Sequence, residues 1–447
     1  MSPEFGPAWL VLFLLSVGGN FSNDLVSLVD ADGYLKAHNI EVKADALVEL
    51  AGKQPEDPKD QVAQLLALRW LGEHPDQANQ VKDARATVRQ IADGKKAQDR
   101  LGFARDYART TLALLDGKPA PGPAVIPAQS VAREALQWCP GSATIFGAYD
   151  LRASGTVAPA DKGRLRSLAL KTMAGLWKKA KLYSVVDGTG NMRLDRVSLA
   201  YAADPKDNRK SRMYVRFTGL GDPKLLTDLI KKGLPGAKVE VKKGPKGRPM
   251  TVISSAKRAP AFALVGDTDL LMCGYESDEK NSLEVLHEAL DVQAGNKAGI
   301  LKGPYAAKLN KVPPEAAGVL MGDVPEPVRQ NMVPVPFKGV PKSVAAVMTR
   351  TKTINIDWQG ITADADQAKA FADSVAEMKK MAIDGLQRLP PALKLKPEQV
   401  KVLTKALEDI RTEAKEDKVS GGVEVTQKTL EAIHDWIRKG LEESHIR

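Results

Sequence analysis

Residues 140–150 read PGSATIFGAYD, and residues 313–323 read PPEAAGVLMGD. The two phrases align without a gap, from a leading proline (Pro140, Pro313) through a shared alanine (Ala143, Ala316) to a closing aspartate (Asp150, Asp323). Each carries a short apolar run behind turn-forming residues, and so predicts a strand: 144–151 in the first phrase and its counterpart in the second. The order that follows also repeats. After the first phrase come strands at 197–202 and 213–217 and a helix at 223–232. After the second come paired strands at 344–350 and 353–358 and a helix at 366–386. A strand, strand, helix order met twice predicts a duplicated α+β unit, each half an antiparallel sheet with helices on one face.

The rest of these two units, 129–311 and 312–447, follows from local pattern. The first opens with a helix at 129–138 and has another at 165–179. Strands at 238–241 and 250–254 flank the turn Gly244-Pro245-Lys246-Gly247, and 261–265 pairs with 270–275 as a hairpin across 266–269. Helices at 281–290 and 304–309 close the unit. In the second, a helix is expected over 398–416, a strand over 418–425 broken at Gly421-Gly422, and a final helix over 427–441.

Residues 21–118 are helical in pattern. Short amphipathic segments at 24–35 and 43–51 precede longer ones at 59–73, 77–92 and 99–115. Val62, Leu65, Leu66, Leu68 and Leu71 fall at helical spacing, and Gly72 with Pro75, Gly94, and Gly117 with Pro119 supply the stops. The Pro-rich stretch 119–128 is a linker and the clearest domain boundary. The fold class expected is therefore α+β: an N-terminal all-helical domain followed by two similar antiparallel-sheet-plus-helix units.

Ala67-Leu68-Arg69-Trp70-Leu71-Gly72, followed by Arg105, Tyr107, Ala108 and Leu112, resembles HEAT-type helical repeats over residues 59–117. The match spans one and a half units, whereas solenoids need three or more to bury a continuous core, so a small helical bundle is expected. The resemblance implies a role in protein contact. The Pro-x-x-Ala phrase leading a strand that ends in Asp resembles uncharacterised exported bacterial proteins, which implies export and no particular chemistry.

Export is also the expectation from the N-terminus. Residues 8–17 read AWLVLFLLSV, with the small residues Ser16, Gly18 and Gly19 at and just past the end of the run. A run of about ten apolar residues suits a signal-peptide core better than a bilayer span. No basic residue precedes it and Glu4 is acidic, so a buried first helix is the competing reading. Residues 1–20 are assigned to a signal peptide or membrane anchor, and the protein to the periplasm or cell envelope.

The 447 residues carry a formal net charge of +10, with 43% apolar, 27% charged and 5% aromatic residues. That balance suits a chain that mostly folds. The excess charge concentrates between Lys206 and Arg258, where Arg209, Lys210, Arg212, Lys242, Lys243, Lys246 and Arg248 are candidates for binding an anionic surface. A solvated basic face is the alternative. Aromatic residues interleaved with these cations are few, so a stacking platform for nucleic acid is poorly supported.

Motifs for chemistry are missing. His38, His74, His287, His434 and His445 never pair at helical spacing, and Cys139 and Cys273 form no CxxC, so no metal site is expected. The two cysteines permit one disulfide or two buried thiols. No serine elbow or phosphate loop occurs. Gly219-Leu220-Gly221 before Asp222-Pro223 reads as a helix cap, and Asp30-Ala31-Asp32-Gly33 as a turn before a helix. Catalytic residues, cofactor and metal are all expected to be none. The expected function is non-catalytic binding of proteins or envelope components. Two alternatives stay open: an enzyme whose site gathers distant groups such as Asp150, Asp323 and Arg216, and a cytoplasmic nucleic-acid binder using the face at 206–258.

Overall fold

The computed structural model describes residues 25–94, 102–118, 130–150, 183–254 (without 185, 189, 194, 205, 208–209, 220 and 235), 260–275 (without 267–268), 282–326, 338–350, 353–388, 395–426, 428–429 and 432–433. Residues 1–20, the linker, the helix expected at 165–179 and most of the final helix lie outside them.

The N-terminal part is all helix: α1 (Ala31–Ala37), α2 (Ala44–Gly52), α3 (Pro58–Glu73), α4 (Pro75–Ala78), α5 (Ala84–Ala92) and α6 (Phe103–Leu115). Asp57 starts α3 by accepting a hydrogen bond from the Asp60 amide at 2.8 Å, with Pro58 at the first helical position. Every residue from Val62 to Gly72 is buried, so α3 is the axis around which the others pack. Gly72 lets α6 approach closely: a Cβ there would stand 3.2 Å from Thr111 Cα. The helix expected over 77–92 is two pieces, because the chain turns between Asn79 and Asp83, where Val81 alone is apolar among Asn79, Gln80, Lys82 and Asp83. Buried Arg69 donates to the carbonyl of Val29 at 2.7 Å and pairs with Glu73 at 3.1 Å.

The rest is built on one sheet of twelve strands: β1 (Ile145–Asp150), β2 (Arg196–Ala202), β3 (Arg212–Thr218), β4 (Lys238–Lys243), β5 (Pro249–Ser254), β6 (Ala261–Val265), β7 (Asp269–Tyr275), β8 (Ala316–Asp323), β9 (Ser343–Arg350), β10 (Ile354–Ile361), β11 (Arg411–Lys415) and β12 (Lys418–Val425). Their order is β11-β12-β10-β9-β8-β1-β2-β3-β7-β6-β5-β4, with every neighbouring pair antiparallel.

The two halves match strand for strand. Arg196 pairs with Asp150 and Thr218, as Ser343 pairs with Asp323 and Ile361. Tyr275 pairs with Arg212, as Glu424 pairs with Asn355; Ala261 pairs with Cys273, as Arg411 pairs with Gly422. Thus β1, β2, β3, β6 and β7 correspond to β8, β9, β10, β11 and β12, and β4–β5 is a hairpin with no counterpart among the described residues of the second half. The halves meet where β1 pairs with β8. There Gly147 lies opposite Leu320, its own counterpart in the aligned phrases. A local two-fold axis therefore passes through the Gly147–Leu320 pair.

Four expectations need correction. The halves share a continuous sheet with helices on both faces, because alternate residues of the strands are apolar on both sides. On the front face, α7 (Ser130–Leu136) and α9 (Ser282–Ala294) cover Phe146, Ala200, Tyr214, Leu271 and Cys273. On the back face, α8 (Pro223–Gly233) sets Leu226 and Ile230 against Ile253 and Leu264. Also behind the sheet, Phe371 of α11 (Ala365–Gln387) meets Trp358 edge to face at 5.9 Å. The helix expected over 398–416 ends at Glu408 as α12 (Pro397–Glu408), and 411–415 is edge strand β11. Strand β12 runs unbroken through Gly421-Gly422, since the Trp358 ring occupies the place a Gly421 side chain would fill.

Candidate functional site

The cations singled out between 206 and 258 do not share one face. Arg212 starts β3 and pairs with Glu288 of α9 at 2.5 Å, while Lys210 sits 3.7 Å from Asp207. The register puts Lys243 opposite Pro249 on the edge strand of the sheet, four strands from β3, on the order of 19 Å across the ladder. Arg209 lies outside the described residues. Lys242, Lys243, Lys246 and Arg248 do cluster, on and around the β4–β5 hairpin that ends the sheet. Sequence distance hid this division, because strand order is a long-range property.

Strand β4 reads KVEVKK and is exposed along almost its whole length. Lys238, Glu240 and Lys242 point to the front, with Lys242 3.7 Å from Glu240. Val239, Val241 and Lys243 point to the back, and Val241 is 79% exposed against 37% for Val239. The turn closes with Gly247 at φ 73°, a conformation that glycine adopts freely, and the Gly244 amide donates to Arg248 O at 2.8 Å. Arg248 stands 3.6 Å from Asp269, which Arg216 also binds at 2.6 Å. The hairpin thus presents bare valine beside Lys243 on one face of its outer strand, with Lys238 and Lys242 on the other. Lysines alone serve to keep an edge strand from pairing with another chain. An exposed valine between them has no part in that task. It does suit a surface that is anionic outside and apolar beneath.

The distant groups of the enzyme alternative are not brought together. Asp150 closes β1 and is buried against Arg196 at 2.7 Å, whereas Asp323 closes the antiparallel β8 at the opposite end of the pair. Arg216 is committed to Asp269. Asp222 caps α8 by accepting from the Lys224 amide at 2.7 Å, as the Gly219–Pro223 reading expected.

His38 belongs to a contact between the helices and the segment that leads into β2. Its Nδ1 faces Tyr34 O at 2.8 Å and its Nε2 faces Asp187 Oδ2 at 3.0 Å, so both ring nitrogens are engaged. Tyr34 donates to Asp187 Oδ1 at 2.5 Å, and burial together with Asp187 pushes its hydroxyl well above the usual phenol range. Asn191 adds a hydrogen bond from the Val26 amide at 3.1 Å. Asp187→Ala is expected to cost about 1.5–3 kcal/mol, since it removes charge-assisted bonds, with urea unfolding as the check. An unchanged midpoint would show that the contact carries no stability.

Cys139 and Cys273 are both buried as free thiols, and burial pushes each above its ordinary value of 9.0. Burial and Glu288 do the same to Tyr214, whose ordinary value is 10.0. For each group the folded chain holds its proton more tightly than the unfolded chain does. Stability is therefore full below about pH 9 and falls as pH rises past the ordinary thiol and phenol values. A denaturation series from pH 7 to pH 11 should show a midpoint flat at first and then declining. A thiol reagent should label neither cysteine in the native protein.

Among the described residues no group of His, Cys, Asp and Glu is placed to hold a metal, and no helix is long and apolar enough to cross a membrane. No protein-family model matches the sequence, and no curated protein matches it. Among solved structures, crystal form III of TP0453 aligns over 67% of this chain and 97% of its own at 10% identity, with a TM-score of 0.35. Crystal form IV aligns over 68% and 97% at 13% identity and 0.34, and form I over 68% and 97% at 10% identity and 0.31. Scores this low fix neither a shared fold nor a shared function.

Proposed function

We propose that this chain is a non-catalytic, exported or membrane-anchored binding protein that attaches to an anionic lipid surface of the envelope through the β4–β5 hairpin. The apolar run at 8–17 supports export. The observation that carries attachment is the exposed Val241 beside Lys243 on edge strand β4, whose other face carries Lys238 and Lys242. Each lysine near an anionic surface contributes about 1 kcal/mol, and a valine entering the interface adds to this. The helical part stands apart from the hairpin along the chain, and its HEAT resemblance supports contact with a second protein there.

Flotation with vesicles tests the reading. The protein should bind phosphatidylglycerol-containing vesicles, ignore pure phosphatidylcholine, and release as salt rises. The triple variant Lys238→Gln, Lys242→Gln, Lys243→Gln should bind about a hundredfold more weakly. Binding that survives the triple variant, or equal binding to neutral vesicles, would overturn attachment by this hairpin. Salt-sensitive binding to duplex DNA with none to vesicles would move the cations to the nucleic-acid reading.

A further inference from the structure

The two halves differ most on the front face. In the first half, Tyr214, Leu271, Cys273, Ala261 and Ala263 are buried there, with α9 across them. Register places Asp357, Ser420, Gly422, Arg411 and Glu413 at the matching positions of the second half. Past β12, Ala432 packs with Leu386, Leu395 and Leu403 instead. Among the described residues the front of the second half carries no counterpart of α9. What stands in its place is a trough of about 610 Å³, within the range of roughly 300–1,000 Å³ typical of small-molecule sites.

Its floor is apolar: Met321 from β8 with Ala345 and Val347 from β9, Met321 and Ala345 being buried. One wall carries Lys308, from α10 (Ala306–Leu309), and Lys311 just after it. Among the described residues neither lysine lies within ion-pair distance of a carboxylate, and Lys308 rests over the Tyr305 ring at 5.8 Å. At the opposite rim Arg411 meets Asp357 at 3.3 Å, which offsets that acid. Glu413 also lines that far side, so the unpaired positive charge stands at the lysine end, beside the apolar floor.

We propose that this trough binds a single-chain anionic amphiphile, with its acyl chain on Met321, Ala345 and Val347 and its charged head between Lys308 and Lys311. A carboxylate or a phosphate monoester head meets the same two ammonium groups. A neutral head leaves them without a partner, and a short chain leaves the floor wet. The site is independent of the β4–β5 hairpin.

The test is calorimetric titration of the full chain with octanoate, decanoate and dodecanoate below their micelle concentrations, with dodecyl phosphate and dodecanol as further arms. Affinity should rise about fourfold per methylene, and dodecanol should bind at least tenfold more weakly than dodecanoate. Comparing dodecanoate with dodecyl phosphate identifies the preferred head. Lys308→Glu with Lys311→Glu, both at exposed positions, should weaken dodecanoate at least tenfold and leave the chain-length slope intact. Ala345→Phe should instead flatten that slope. The hairpin variant Lys242→Gln, Lys243→Gln should bind dodecanoate like the parent. No binding of dodecanoate, an affinity independent of chain length, or full affinity in the double glutamate variant would overturn the proposal.

Discussion

Trp138→Ala is expected to lower stability by about 3–5 kcal/mol, a range typical of an aromatic residue removed from a packed core. Trp138 is fully buried on the front of the sheet, just after α7, and its Nε1 donates to Ala135 O at 2.6 Å and to Ser198 Oγ at 2.8 Å. It therefore ties helix α7 to strand β2 while filling the space beside Tyr214, 6.5 Å away between ring centres. Alanine removes the packing and leaves Ser198, also buried, without its donor. Urea unfolding should show a lower midpoint with an unchanged slope. A loss below about 1 kcal/mol would mean that the front core does not rest on this side chain.

Gly322→Ala should cost at least about 3 kcal/mol, through strain and not through lost burial. Gly322 faces Ile145 across the β1–β8 seam, with φ at 147°. A Cβ there would stand 2.1 Å from the Thr144 carbonyl oxygen and 2.5 Å from Ile145 Cα. Both atoms are backbone, so relief requires the two halves to separate locally. Gly385→Ala is the matched control. It lies in α11 with nothing within 4 Å of the added carbon, and should raise stability by about 0.5–1 kcal/mol. Opposite signs for two Gly→Ala changes would locate the seam where the register puts it. Equal, small effects would contradict a close β1–β8 junction.

The duplication was legible because Pro140–Asp150 and Pro313–Asp323 both put small and apolar residues on a strand that is covered on its two faces. Strand β11 was not. Arg411-Thr412-Glu413-Ala414-Lys415 has no apolar alternation, and its residues suit a helix; only pairing with β12 makes it a strand. Gly421-Gly422 looked like a break because the Trp358 ring over Gly421 comes from a different strand. The same limit applied to the candidate site. Lys210 and Lys243 are near in sequence, but strand order sets Lys243 on the edge strand, four strands from the interior strand β3 that Lys210 leads into. The trough could not be read at all, since its floor and its lysines meet only when β8, β9 and α10 are assembled.

The buried state of both native thiols makes a direct test of the hairpin simple, because a cysteine introduced at Val241 would be the one that labels. An environment-sensitive fluorophore on Val241→Cys should shift to the blue with phosphatidylglycerol vesicles. The same label on Met381→Cys, half exposed on α11, should not respond. A shift at 381 and none at 241, or no shift at either, would contradict attachment through the β4–β5 edge.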